Sequence, residues 1–206
     1  MATTAQHIAE DAARFDAERT DQRVLLRAAS WGDYQRLDQL RGESAVPRQT
    51  FLHGALELMS PGFPHETDKK TLARVIEAWA DLSGVELTGA GSWTLKDSTK
   101  ELGAEADECY LIGPLDGEPE RPDIAIEVIK TSGGIDKLAV YRGLGVPESW
   151  FWKRGRLSFY LLEADGYRQV ERSAKLPGLD PAVIAECMAA QSQTAAVRLL
   201  RERYED

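Results

Sequence analysis

The chain has 206 residues, 43% of them hydrophobic, and a formal net charge of −9. That length and composition suit one domain with an ordinary core. The acidic balance argues against a protein that coats nucleic acid non-specifically, while leaving room for a local basic patch. Cys109 and Cys187, far apart in sequence, are too few for a disulfide scaffold or a thiolate metal site. The first residues, MATTAQHIAEDAARFD, hold no apolar signal core, and no run reaches the ~18 apolar residues that suggest a membrane helix. The reading is a soluble cytoplasmic protein.

Residues 1–22 are polar and Ala-rich and form an extension; residues 23–206 read as the single domain. Val24-Leu25-Leu26 opens it as a strand. Ser30 followed by Asp33 predicts a capped helix start, with Trp31, Tyr34, Leu37 and Leu40 at helical spacing and a stop at Gly42. Thr50 to Met59 reads as a hairpin turning at Gly54. A helix follows from about His65 to Leu82, with Leu72, Val75, Ile76 and Trp79 as its buried stripe and Gly84 closing it. Strand character runs over 85–95 with a Gly-rich interruption, 96–106 is polar and loop-like, and Asp107 to Ile112 is a short strand with carboxylates at its start. After a Pro- and Gly-containing loop come a strand over 123–130, a helix over 135–144 and a strand over 148–153. Leu157–Leu162 makes a return strand, Tyr167–Val170 adds another, Asp180-Pro181 starts a helix, and Ser192 caps the last one.

One residue in the strand over 123–130 is out of place. Side chains alternate faces along a strand, so Ile124, Ile126 and Val128 share one face and Ala125, Glu127 and Ile129 the other. Both faces are apolar, the pattern of a strand covered on both sides, and a carboxylate there is costly unless paired, protonated or metal-bound. Asp107 stands at the start of the preceding strand. If the two strands pair, the two carboxylates meet near one rim and form an open site for a hard cation such as Mg²⁺, which takes oxygen ligands and keeps several waters. Asp123 is too far along the same strand, roughly 13 Å from Glu127, and reads as a strand-entry residue after Pro122.

Four local motifs carry a resemblance: GALELMSP followed by His65, EADECY at 105–110, PDIAIEVIKTSGGIDKLAVYRGLGVPESWFW at 122–152, and LPGLDPAVIA at 176–185. With them the chain resembles the Uma-two family of restriction endonucleases, members of the PD-(D/E)XK nuclease superfamily, from about Val24 onward. The resemblance implies an α/β restriction-endonuclease-like core: a mixed central β-sheet flanked by helices, with an N-terminal helix and hairpin and C-terminal helices. It also implies a Mg²⁺- or Mn²⁺-dependent endonuclease acting on DNA, with Asp107 and Glu127 as the metal-ligating acids and a lysine to orient water and offset negative charge. Two departures stand out. Ala106 replaces the proline before the first acid, and Ile129 stands where the lysine two residues after the second acid is expected. Lys130 points to the other face, so the resemblance assigns the lysine's place to Lys137, whose competing reading is a solvated helix residue. Glu57 and His65 sit where the family carries a Glu and a His. Glu57 reads equally as an auxiliary ligand, a partner of one, or a hairpin-edge acid, and His65 more as a hydrogen-bonding histidine than a ligand. Tyr141 lies one turn after Lys137, facing the site or, on the safer reading, serving the core.

Between Arg121 and Arg156 seven basic residues outnumber four acidic ones, a net of +3 that would draw a DNA backbone. Trp150 and Trp152 read as core rather than as stacking platforms. A homodimer suits cleavage of two strands. The rival reading is a catalytically degenerate nuclease fold kept as a binding or assembly module, which the acidic charge and the missing lysine favour.

Overall fold

The computed structural model describes residues 20–130 and 134–204. The extension over 1–22 therefore falls, except for its last three residues, outside the described residues. Among the described residues two sheets and five helices form the fold, and the expected α/β class with a mixed sheet flanked by helices is what the chain adopts.

The first sheet is antiparallel throughout and has the order β1-β3-β2-β6-β5. Strand β1 covers Gln22–Arg27. Helix α1, Trp31–Arg41, follows; Ser30 and Asp33 cap each other's backbone N–H groups, and the helix stops at Gly42, whose φ is +58°. Trp31 and Tyr34 pack on Phe51 and Leu56 as their spacing requires, but Leu40 is 82% exposed. The last turn carries Arg41 to Glu105 instead, where the two side chains pair. The hairpin of β2 (Arg48–Leu52) and β3 (Ala55–Ser60) turns at His53-Gly54, both at positive φ. That is the twist a two-residue hairpin turn needs.

The segment expected to be loop, 96–106, contains a central strand, β6 (Leu102–Glu105), paired with β2 on one side and with β5 (Thr94–Asp97) on the other. Its sequence, Leu-Gly-Ala-Glu, has one large apolar residue and so no readable alternation. The strand works because Tyr34 fills the space over Gly103, where an added Cβ would stand 2.7 Å from the ring. Tyr34 is itself stacked on Trp31 with centroids 4.6 Å apart and cannot easily retreat. Gly103→Ala should therefore cost about 1–3 kcal/mol of stability, the usual range for overpacking, read as a lowered urea midpoint.

The second sheet has the order β11-β10-β9-β8-β7-β4. The strand character expected over 85–95 is split: β4 (Leu87–Gly89) belongs here and β5 to the first sheet. Strands β7 (Glu108–Ile112) and β8 (Ile124–Ile129) are antiparallel, while β8 runs parallel to β9 (Glu148–Lys153). A parallel pair needs a crossover, supplied by the segment carrying helix α3 (Lys137–Leu144), capped by Asp136 and ended at Gly145. Strands β10 (Arg156–Glu163) and β11 (Gly166–Val170) finish the sheet.

One face of this sheet meets the long helix α2 (Phe63–Ser83) and the C-terminal helices α4 (Pro181–Met188) and α5 (Gln193–Tyr204). There Ile124, Ile126, Val128 and Trp150 pack with Leu72, Ile76 and Trp79, so both strand tryptophans belong to the core. On the other face Ala125 and Cys109 pack with Val140 and Tyr141 of α3. Buried Glu148 ties the sheet to the segment before α4, accepting from Trp150 Nε1 at 2.7 Å and from the N–H groups of Ala174 and Lys175 at 3.0 and 3.1 Å. Among the described residues no helix is long and apolar enough to cross a membrane.

Candidate active site

The chain passes from the first sheet to the second through two residues, Ala106 and Asp107, between the end of β6 and the start of β7. The Asp107 N–H donates to the Ile126 carbonyl at 3.1 Å, and Asp107 Oδ2 accepts from the Val128 N–H at 2.6 Å. The carboxylate thus closes the end of the β7–β8 ladder in place of a backbone carbonyl, one peptide unit from Glu127. Its Oδ1 pairs with Arg48 Nη1 and lies 3.1 Å from His65 Nε2. Arg48 also donates to Glu66 Oε1 at 2.8 Å, and His65 Nδ1 lies 3.1 Å from Asp21 Oδ2. Burial pushes the Asp21 carboxyl up, but His65 and the Gly62 N–H outweigh it and hold the group below the usual carboxylate range. Asp107 is 1% exposed, a burial that an ionised carboxylate tolerates only with partners of this kind.

Glu127 sits mid-strand in β8 and is 3% exposed. Its Oε1 accepts from the Tyr141 hydroxyl and lies 3.1 Å from Lys137 Nζ, which also donates to the Glu105 carbonyl at 3.0 Å. Residues four apart on a helix share a face, so α3 presents both groups to the strand. Burial, and then the Glu127 charge, push the Tyr141 phenol well above its ordinary pKa, which keeps it a proton donor. Among the described residues nothing donates to Glu127 Oε2. Glu127 lines a cleft of about 320 Å³ between the sheets, with Arg23, Glu57, Lys137, Phe151, Lys153 and Tyr160 among its other walls. Glu57 enters from β3; its Oε2 accepts from the Ile135 N–H at 3.0 Å and lies 3.5 Å from Arg23 Nε.

The structure therefore brings Glu127, Lys137 and Tyr141 into direct contact and places Glu57 on the same cleft. It places Asp107 and His65 in an adjoining network that meets Glu127 through the β8 backbone, and Asp107 is not among the cleft's lining residues. Of the basic residues between 121 and 156, Lys137 and Lys153 line the cleft, whereas Lys130 pairs with Asp68 on the α2 side. Asp123 is structural in its contacts, accepting from the Ile112 N–H at 2.9 Å and from Lys175 Nζ at 2.6 Å. Sequence reasoning missed Arg48, Arg23 and Asp21. Arg48 opens a polar run, Arg-Gln-Thr, that carries no anomaly like an acid among isoleucines.

Among the described residues no three His, Cys, Asp or Glu side chains gather around one point. Mg²⁺ is commonly held by one or two carboxylates and water. Glu127 offers the cleft a carboxylate of the right hardness for such an ion, while Asp107, in the adjoining network, has both oxygens engaged by Arg48, His65 and the Val128 N–H. Cys109, buried among residues of α3 and β8, contributes nothing to the site: burial pushes its thiol up to about 12. The native protein should leave Cys109 and the equally buried Cys187 unmodified by a thiol reagent at pH 8, with both reacting once urea unfolds the chain.

Glu127 thus stands in a central strand of a mixed sheet, on a cleft beside the helix-borne Lys137, and the comparisons place the chain by fold and by family. A crystal structure described as a "putative nuclease belonging to DUF820" from Anabaena variabilis superposes with a TM-score of 0.50 at 12% identity, covering 83% of this chain and 98% of that one; at that identity the likeness is one of fold. Residues 31–194 match the Uma2 family model, described as "Putative restriction endonuclease". The chain belongs to the Uma2 family. No curated protein matches it.

Proposed function

We propose that this protein is a Mg²⁺- or Mn²⁺-dependent DNA endonuclease, with Asp107 and Glu127 as the acids that would hold the ion. The observation that carries the reading is Glu127: a buried carboxylate with Lys137 and Tyr141 on one oxygen and the cleft before the other. When bound, the ion would polarise a phosphate oxygen and lower the pKa of a coordinated water. The chain's own groups do the rest. Tyr141 and Lys137 fix Oε1, so the carboxylate keeps one orientation. Lys137 puts a positive charge beside the acid, where a phosphoryl group gathering negative charge is stabilised. Arg23 and Lys153 extend that positive charge along the cleft. His65 and Arg48 hold Asp107 against the end of β8.

The test is conversion of supercoiled plasmid to nicked or linear DNA with Mg²⁺ or Mn²⁺ and not with EDTA, comparing the natural protein with Asp107→Asn. Equal cleavage by both would remove Asp107 from the chemistry. One observation favours a second reading, a degenerate fold retained for binding: Arg48 already neutralises Asp107. On that reading calorimetry detects no uptake of divalent ions at millimolar concentration.

A further inference from the structure

The cleft has an apolar half as well as a charged one. Phe151 on β9 and Tyr160 on β10 meet edge to face, with centroids 5.5 Å apart and planes at 82°. In the β8–β9 register Phe151 lies opposite Glu127, and residues directly opposite share a face of a sheet. The aromatic pair and the carboxylate therefore open on the same side and line the same cleft, where Met59, Ile129 and Leu138 continue the apolar wall. Both rings are only partly buried.

The charged half has an unusual feature. Arg23 Nε is buried without a hydrogen-bond partner, although Glu57 lies 3.5 Å away. With Lys137 and Lys153 it makes three cations lining the same cleft as the rings, beside the acids Glu57, Glu127 and Asp136. At about 320 Å³ the cleft lies at the small end of ligand sites, which span about 300–1,000 Å³. Its walls suit one nucleotide rather than a duplex. An intact double helix presents phosphates outward and keeps its base faces stacked inside, so it would meet the cations and leave the rings with nothing to contact. An unstacked nucleotide satisfies both halves, since a base stacks on aromatic side chains whatever its identity.

We propose that the cleft takes an unstacked nucleotide, its base against Phe151 and Tyr160 and its phosphate toward Arg23, Lys137 and Lys153, so that the substrate is single-stranded or locally unpaired DNA. This inference rests on the nuclease reading of the same site, and binding separates the two.

The probe is an oligonucleotide carrying 2-aminopurine, offered to the full-length protein in Ca²⁺ as a single strand and as the matched duplex. The single strand should bind at least about tenfold more tightly, with its fluorescence quenched by stacking. Tyr160→Leu, which keeps apolar bulk and loses the ring, should cost about tenfold in single-strand affinity and abolish the quench, in keeping with the usual strength of base–aromatic stacking. Its urea midpoint checks that the variant is folded, and Phe151→Leu supplies a second variant with the same expectation. Equal affinity for both forms, or an undiminished quench in folded Tyr160→Leu and Phe151→Leu, would overturn the inference. Metal-dependent plasmid cleavage without strand preference overturns it and leaves the nuclease reading standing. Ring-dependent single-strand binding by a protein that cuts nothing upholds it and removes the nuclease reading.

Discussion

Arg48→Met is expected to lower folding stability by about 3–5 kcal/mol, the range found when one partner of a buried ion pair is removed. The reason lies in what stays behind. Asp107 keeps its hydrogen bond from the Val128 N–H and its contact with His65, but the guanidinium that neutralises it is gone, and at 1% exposure water cannot replace it. Glu66 loses the same partner but lies nearer the surface and matters less. Against a total of about 5–15 kcal/mol for a typical domain, the loss is severe, and urea denaturation at pH 7 measures it directly. The double variant Arg48→Met with Asp107→Asn should recover a good part of the loss, because no unpaired charge is then left inside. A single variant within about 1 kcal/mol of the natural protein would mean that the pair does not hold the sheets together.

Glu127→Gln separates chemistry from folding. The amide oxygen still accepts from Tyr141, while Lys137 loses its counter-ion but keeps the Glu105 carbonyl, so the unfolding free energy from urea denaturation should fall by about 1–3 kcal/mol. On the proposed function, metal-dependent cleavage should fall at least about 100-fold, the scale on which loss of one placed charge acts in a buried site. Cleavage rate and midpoint measured on one preparation decide the matter: retained cleavage takes the metal-holding role from Glu127, and a collapsed midpoint makes the residue structural first.

What could be read from the residues alone followed from how loudly each one contradicted its surroundings. Glu127 among isoleucines marked a central strand and a candidate site together, because a charge on a doubly covered strand has few physical explanations. The capped starts at Ser30 and Asp180 and the stops at Gly42 and Gly84 were visible because caps are local chemistry. Strand β6 was hidden because its fit depends on Tyr34, some seventy positions earlier, lying over Gly103. The division of β4 and β5 between two sheets was hidden for a related reason: strand pairing is decided by distant partners, and only the local segment is written in order. Arg48 escaped notice since its significance comes wholly from Asp107, 59 positions away.

The parallel pairing of β8 with β9 has a consequence for how the protein is made. On the ribosome, β8 emerges before its parallel neighbour, before the helix that brings Lys137 and Tyr141 to Glu127, and well before Tyr160. A growing chain at that stage holds its acids and Arg23 but lacks the aromatic wall and the lysines, Lys137 and Lys153, that complete the cleft. The cleft is therefore completed only after the β9–β10 hairpin has been translated and docked.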